Sequence, residues 1–334
     1  MLHRIDARIY HLLAPFLTDN PILKKLSLRD CFVGSTEVDI LADQLLARSA
    51  DTLQELDLSS NDIGPEADLS WFVLALKKTR SLKRLNLANT HIGSPGASSL
   101  AELLLGNGGC NSEGLYLDPW EIETSCLSLQ ELNVSGNNFR AGDCLSLAGA
   151  LADNNRNTKL KTLNLKSNGW LTVDNWSGVL RRVLHLVCDR SDVQAVVNSN
   201  HKLSSLADPY DPDDVELGEE LTMFTPWQPV TPIFNTALGV EDANLLRASF
   251  ELNNGPGSDM VKARKKILML HIRGHLNLGD TPLDMGIVPT LVGLFGEDWC
   301  RSRFPQSLIL DATFRVICTN TDVCSMIGYA NNLD

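Results

Sequence analysis

The sequence predicts an α/β solenoid in which short parallel strands alternate with helices. The segment LQELDLSSNDIG, which begins at Leu53, has leucines at its first, fourth and sixth places, an asparagine at the ninth and an isoleucine at the eleventh. Similar residues fill the same five places in segments that begin at Leu23, Leu82, Leu129 and Leu160. This pattern indicates one turn of a leucine-rich solenoid, which buries its apolar face only against neighbouring turns.

The distance between turns is nearly constant. The sixth-place residues are separated by steps of 30, 29, 47 and 31 residues, and they are Leu28, Leu58, Leu87, Val134 and Leu165. The long step equals one normal repeat plus about 18 residues. We therefore expect an insertion at 106–127, after the helix of the third repeat, and insertions of this kind often carry binding loops.

A second apolar run with helical spacing follows each strand pattern. In the first repeat it contains Ile40, Leu41, Leu45 and Leu46, and Ser35 or Thr36 is placed to cap the helix. Repeats of about 29 residues that contain a full helix resemble the ribonuclease-inhibitor type of leucine-rich repeat. The segment from Ser191 to Leu203 resembles a degenerate sixth turn, in which Asn198 would fill the sixth place.

Composition shifts divide the chain into four predicted regions. Residues 1–19 form an amphipathic capping helix, 20–205 the solenoid, 206–238 an acidic and then proline-rich linker, and 239–334 a mainly helical C-terminal region. The basic residues of the first region would also suit an organellar presequence, but a serine-rich spacer is missing. The repeats, the segment SNHKL and the segment KARKKILMLHI resemble leucine-rich-repeat proteins abundant in diatoms and related algae, which implies a cytosolic interaction protein.

Composition also limits the classes of function. The net charge of -12 disfavours broad nucleic-acid binding. No apolar run approaches the roughly 18 residues that a membrane helix needs. The eight cysteines contain no C-x-x-C pair, which favours reduced thiols in a cytoplasmic protein. We expect a monomer without a cofactor or a resident metal.

The third, fifth and seventh places of each turn should face the concave side of the sheet, because side chains alternate along a strand. The third places alternate in charge and predict a self-neutralising ladder: Lys25, Glu55, Arg84, Glu131 and Thr162. The ninth-place residues Asn61, Asn137 and Asn168 should instead turn inward and bind the backbone of adjacent turns.

The fifth and seventh places offer polar groups to a partner. The fifth-place column is Ser27, Asp57, Asn86, Asn133 and Asn164, and the seventh is Arg29, Ser59, Ala88, Ser135 and Lys166. Amides carry donors and an acceptor, so such columns can bind a polar protein surface directionally. The columns have no aromatic anchor. Trp120, with Tyr116 nearby, is the best candidate anchor, and both lie in the insertion. The sequence therefore predicts a protein-binding scaffold that uses the concave face and the insertion.

Individual residues also suggest three other functions. His271 and His275 are four residues apart on a predicted helix, which is compatible with two metal ligands, but a solvated basic face explains the segment better. Cys188 beside Arg190 suggests a thiol ubiquitin ligase, although the match covers only a few residues. Regulators of small GTPases also use repeats of the ribonuclease-inhibitor type and resemble this chain in that respect. In that case Asn86, Asn133 or Asn164 would act on the GTPase.

Overall fold

The structure is a computed structural model, which describes residues 23–44, 52–79, 81–105, 128–153, 159–168, 173–207, 237–273, 275, 300, 304–306 and 308–309. The predicted capping helix 1–19, the insertion 106–127 and linker residues 208–236 lie outside the described residues. The same is true of most of the chain after Ile272.

Six parallel strands form one open sheet in sequence order. They are β1 (Lys25–Ser27), β2 (Glu55–Asp57), β3 (Arg84–Asn86), β4 (Glu131–Asn133), β5 (Thr162–Asn164) and β6 (Ser205–Ala207). The fourth-place leucines lie side by side, since Leu26 pairs with Leu56, and Leu56 with Leu85. β3 pairs directly with β4, so the long step between them is an insertion that leaves the sheet continuous.

Eight helices are described. They are α1 (Ser35–Gln44), α2 (Ser70–Lys78), α3 (Ser94–Leu105), α4 (Ala141–Asp153), α5 (Val173–Val187), α6 (Val193–Asn198), α7 (Val240–Asn254) and α8 (Asp259–Ile272). The first five follow β1 to β5 in turn, and consecutive members pack against each other. Strand and helix therefore alternate, and the predicted leucine-rich-repeat solenoid is confirmed.

The core lies between the sheet and the helices. Leu56, Leu85, Leu132 and Leu163 point into it from the middle of their strands, and each is 0% exposed. Helical leucines at three- and four-residue spacing meet them from the other side, for example Leu100 and Leu104 in α3. Because each turn buries its apolar residues against its neighbours, no single turn has a core of its own.

The inward-facing asparagines join adjacent turns as predicted. The Asn61 Oδ1 atom accepts hydrogen bonds from the N–H groups of Cys31 and Val33, both at 2.9 Å. Its Nδ2 atom donates to the carbonyls of Leu28 at 2.8 Å and Leu58 at 2.7 Å. Asn137 does the same for the turn of Thr90, at 3.1 Å to the Thr90 N–H and 2.8 Å to the Leu87 carbonyl. These side chains satisfy buried backbone groups that no strand partner reaches.

The eighth place of each turn has a left-handed backbone. Its φ angle is 53° at Asp30, 57° at Ser60, 54° at Asn89, 64° at Gly136 and 52° at Ser167. This conformation turns the chain from the strand toward the ninth-place side chain, and Asn, Asp and Gly adopt it most readily. The N–H group of Ser60 still reaches the Ala88 carbonyl at 2.8 Å, so adjacent turns remain bonded there.

The sixth turn exists, but the predicted register was wrong. Asn198 ends helix α6, and the sixth strand begins at Ser205. Leu203 and Leu206 fill the first and fourth places and are both 0% exposed. The Asp192 side chain caps α6 by accepting a hydrogen bond from the Ala195 N–H group, so the apolar residues from Val193 onward belong to a helix. The last strand also extends two residues past the boundary at 205.

The two C-terminal helices pack on the last turn. α7 contacts α5, and α8 contacts α6. The Asn253 Nδ2 atom of α7 donates to the carbonyls of Asn200 at 3.1 Å and Leu203 at 2.6 Å. The side chain of Asn253 thus satisfies backbone carbonyls of the last turn, as the ninth-place asparagines do within the solenoid.

The prediction that the basic residues of α8 form a solvated face is wrong for Lys266. Lys266 is 0% exposed, and its Nζ atom donates to the carbonyls of Val187 and Asn200 and to His201 Nδ1. His271 is also buried, at 2% exposure. The basic residues of this helix therefore differ in role, because packing against the last turn takes Lys266 out of water.

Candidate protein-binding face

The concave face is built from the third, fifth and seventh places of successive turns. Strand pairing aligns these places across the sheet, so that Asp57 lies beside Asn86, Asn86 beside Asn133, and Asn133 beside Asn164. Neighbouring strands in a sheet lie about 4.8 Å apart. The predicted site residues of the strands and their ends are therefore brought together as parallel columns on one surface.

The predicted charge ladder of the third-place column is confirmed. Lys25 Nζ lies 3.0 Å from Glu55 Oε1, the Arg84 guanidinium binds the same carboxylate, and Arg84 Nε lies 3.9 Å from Glu131 Oε2. The cationic side chains are more exposed than the acidic ones, at 69% for Lys25 against 16% for Glu55. Exposed ion pairs contribute about 0 to 1 kcal/mol each, so the ladder mainly orders the face.

Glu131 is the less well neutralised carboxylate of the ladder. Burial raises its pKa above the usual range, and the charges of Arg84 and Lys161 oppose that rise. The exposed atoms of the ladder are mostly cationic, since its carboxylates lie deeper and are shared between neighbours.

Each acid or amide of the fifth-place column binds its own backbone. The side-chain oxygens of Asp57, Asn86, Asn133 and Asn164 accept hydrogen bonds from the N–H group two residues later, at 2.9, 3.1, 3.1 and 3.0 Å. This is the Asx turn that Asp and Asn favour where a strand ends. This turn was not predicted from the sequence, although an Asp or Asn residue at the end of four of the six strands was a usable signal.

The Asx turns and burial reduce the number of accessible polar groups in the fifth- and seventh-place columns. Asn86 is 6% exposed and Asn133 is 7% exposed, while Ser59 and Ala88 beside them are also buried. The accessible polar groups lie toward the two ends of the arc. Ser27 and Arg29 are exposed at one end, and Asn164 and Lys166 are half-buried at the other.

A groove runs along the C-terminal edge of the first three strands. Its volume is about 560 Å³, and its walls include Asp30, Phe32, Glu37, Asp62, Asn89 and His91. Phe32 is 49% exposed and has a left-handed φ of 58°. His91 Nδ1 lies 3.0 Å from Asp62 Oδ1. This groove was not predicted from the sequence, although Phe32, an aromatic residue between the inward ninth and eleventh places, was a signal for it.

The other predicted sites do not gain support. Tyr116 and Trp120 lie outside the described residues. Within the described part of the chain, His, Cys, Asp and Glu side chains form no group of three that would suit a metal ion. His271 is buried, whereas His275 lies 3.2 Å from Glu241. The two imidazoles therefore have different neighbours.

Cys188 lies in the core at the end of α5. It is 1% exposed, and burial raises the pKa of its thiol, although the nearby charge of Lys266 opposes that rise. A nucleophilic cysteine needs an accessible thiolate with a lowered pKa. The surroundings of Cys188 have the opposite effect on its pKa and leave no access.

Comparisons with known proteins agree with this geometry. Residues 51–67, 78–101, 125–148 and 156–173 match the family described as Leucine Rich repeat. The chain is also similar to the human (Homo sapiens) NACHT, LRR and PYD domains-containing protein 5, with 30% identity over 158 residues. That alignment covers 44% of this chain and 13% of the relative, so the likeness concerns a small part of the human protein.

None of the described helices combines the length and apolar character needed to cross a bilayer. The turns built on β2 to β5 are the segments that the family comparison recognises. They are leucine-rich repeats, and domains built from such repeats generally bind other proteins.

Proposed function

We propose that this protein is a non-catalytic interaction module whose concave face binds another protein. One observation carries the proposal: the polar concave columns are fixed before any partner arrives. The Asx turns at Asp57 and Asn164 hold the strand ends, and the ladder through Glu55 holds the third places. A preorganised surface loses little conformational entropy on binding.

The exposed aromatic residue in the groove supports the same proposal. Aromatic side chains are the usual anchors of protein interfaces, and the columns themselves contain none. Phe32 lies in the groove, three residues after Arg29, the seventh-place residue at this end of the concave face. In this proposal the insertion with Tyr116 and Trp120 contributes further contacts to the same partner. We further propose a monomer in the cytoplasm, where buried thiols such as Cys144 persist.

The test is a binding comparison with a matched control. The concave variant combines Ser27→Arg, Arg29→Glu and Lys166→Glu. The control combines Ser98→Arg, Arg181→Glu and Arg182→Glu, which lie exposed on outer helices α3 and α5 and change the net charge equally. Both variants should keep the wild-type melting temperature. Wild type and control should retain the same specific protein from an extract of the source cells, and the concave variant should lose it. Equal retention by all three would remove the concave face as the interface.

The regulator of small GTPases gains no observation in its favour. An asparagine that acts on a bound nucleotide must project from the surface. Asn86 and Asn133 are nearly buried, and their oxygens bind the N–H groups of Ala88 and Ser135. Purified protein should accordingly leave the rate of GTP hydrolysis by small GTPases unchanged, and an acceleration abolished by Asn164→Ala would revive that function.

A further inference from the structure

The second place of each turn forms a column of its own at the N-terminal edge of the sheet. Its residues are Lys24, Gln54, Lys83, Gln130, Lys161 and Ser204. From Gln54 onward, each N–H group in this column donates to the carbonyl of the second-place residue in the preceding turn, from Gln54 N to Lys24 O at 2.7 Å through Ser204 N to Lys161 O at 2.8 Å. The column is therefore as rigid as the strands it precedes.

Lysine fills every second position of this column. Lys24, Lys83 and Lys161 are all exposed, and we call these three residues the lysine edge. Two strand spacings separate consecutive members, so their backbones lie about 10 Å apart in a row about 20 Å long. The intervening Gln54 and Gln130 add amides and no charge.

The surroundings of the lysine edge are also cationic. Lys25 and Arg84 lie one residue further along the same strands, and Lys159 is exposed two residues before Lys161. The third-place carboxylates beside the lysine edge are Glu55 and Glu131, which are half-buried. Near its Lys161 end, the carboxylate of Asp259 is paired with Lys202 at 2.6 Å. Glu55 is already shared by Lys25 and Arg84. Cationic groups therefore exceed carboxylates here, on a chain whose net charge is -12.

We propose that the lysine edge binds an acidic, extended stretch of a partner polypeptide. In the extended polyproline II conformation a chain advances about 3.1 Å per residue and completes one turn in three residues, so carboxylates three residues apart lie on one side and repeat at about 9 Å. That distance matches the spacing of the lysines. Such a segment lies across the strands and meets one lysine with every third side chain.

A polypeptide fits this edge better than a nucleic acid. The lysines form a single short row, whereas nucleic-acid grooves combine many phosphate contacts with aromatic stacking. No aromatic residue occurs in the second or third places of the six turns. The large negative charge of the rest of the chain repels a long polyanion more than a short segment with a few carboxylates.

The lysine edge is distinct from the fifth- and seventh-place columns, so the two interfaces are tested separately. The probe is a fluorescein-labelled peptide of ten residues with glutamate at every third place and serine or glycine between. Its binding to the full chain is followed by fluorescence anisotropy in about 50 mM salt, where exposed charges are weakly screened.

The test variant combines Lys24→Glu, Lys83→Glu and Lys161→Glu. The control combines Arg140→Glu, Arg181→Glu and Arg182→Glu, which are exposed elsewhere and change the net charge by the same amount. We expect the test variant to bind the probe at least tenfold more weakly than wild type, and the control less than threefold more weakly. Equal weakening in both would overturn the proposal, because it would show only the effect of net charge. A milder Lys→Gln triple variant keeps the result interpretable if the glutamate variant unfolds.

Two further arms identify the occupant. Tighter binding of a ten-nucleotide single-stranded DNA than of the peptide, lost in the same test variant, would overturn the polypeptide in favour of nucleic acid. The chain also has an acidic segment of its own after Ala207, which includes Asp213, Asp214 and Glu216. If the probe binds only when these three are changed to Asn, Asn and Gln, the segment itself fills the edge and an external partner is overturned.

Discussion

Lys266 on α8 donates a hydrogen bond to Nδ1 of His201, which precedes β6, at 3.1 Å. Because Nδ1 accepts, the neutral imidazole carries its proton on Nε2, which lies 3.2 Å from the Val197 carbonyl and donates to it. The same ammonium binds the carbonyls of Val187 and Asn200. A single buried lysine thus joins the C-terminal helices to the end of α5 and to the last turn.

Acid should weaken this junction. Burial, and then the charge of Lys266, lower the pKa of His201 from 6.5 to about 4. The unfolded chain then binds one more proton than the folded chain between these two values, so stability is lost as the pH falls through that window. We expect His201 to account for a loss of at most about 3 kcal/mol between pH 7 and pH 4.

Urea unfolding of wild type and His201→Gln between pH 7 and pH 4 checks this. The stability advantage of wild type should shrink as the pH falls. His185→Gln is the control, because that side chain is 64% exposed. Parallel pH profiles for wild type and His201→Gln would show that His201 does not titrate differently in the folded chain.

Lys266 should have its effect at alkaline pH. Burial lowers its pKa from 10.5 to about 7, although Cys188 opposes this shift. Between these values the unfolded chain binds more protons, so the contribution of Lys266 to stability rises with pH. The difference in unfolding free energy between wild type and Lys266→Met should grow in favour of wild type by roughly 1 to 2 kcal/mol from pH 7 to pH 8.5. The exposed Lys83→Met variant should show no such change, and a constant difference for Lys266→Met would contradict the assignment.

Removing a ninth-place asparagine should destabilise the solenoid strongly. Asn61→Ala removes hydrogen bonds to the N–H groups of Cys31 and Val33 and to the carbonyls of Leu28 and Leu58. Several buried backbone groups lose their partners, so we expect a loss of about 2 to 4 kcal/mol in denaturant unfolding. Asn138→Ala should lose less than about 1 kcal/mol, because it breaks a single exposed bond to the His91 carbonyl. Equal losses would mean that the ninth place has no special role.

Two glycines in the fourth repeat should respond in opposite ways to alanine. Gly136 has a φ of 64°, and a Cβ atom there would overlap Asn89 Oδ1 of the adjacent turn. Gly136→Ala should therefore cost about 1 to 3 kcal/mol. Gly142 lies in the first turn of α4 with no atom within 4 Å of an added Cβ, so Gly142→Ala should be neutral or stabilise by up to about 1 kcal/mol. Thermal melting of both variants checks the contrast, which a stable Gly136→Ala protein would refute.

The buried thiol of Cys188 should be unreactive in the folded chain. Its low exposure and raised pKa both reduce the thiolate that a reagent can reach. At pH 7 iodoacetamide should modify Cys188 at least about 100-fold more slowly than free cysteine, as followed by peptide mass spectrometry. Urea should abolish this protection. Modification of the native protein at the speed of free cysteine would restore the thiol-enzyme alternative.

The local repeat made much of the fold predictable. The places of Leu56 and Asn61 within one turn predicted which side chains turn inward, and alternating charge at Glu55 and Arg84 predicted the ladder. The sixth turn was misread because Val193 and Val196 fit the first and fourth places of a turn, although they lie in a six-residue helix that is too short for a clear helical period. The accessible part of the concave face was overestimated, because composition does not show that Asn86 and Asn133 are packed between neighbouring turns.

By itself, the sequence determined the solenoid, the boundaries of its first five turns and the residues of their concave columns, because each of these turns repeats the same short-range pattern of apolar and polar places. Only the tertiary structure decided that Lys266 is buried and that the C-terminal helices end the solenoid by binding the carbonyls of Asn200 and Leu203. These contacts join residues at least 50 positions apart in the sequence, as between Leu203 and Asn253. A hydrogen bond across that distance depends on how two segments pack, and no local period in the chain encodes it.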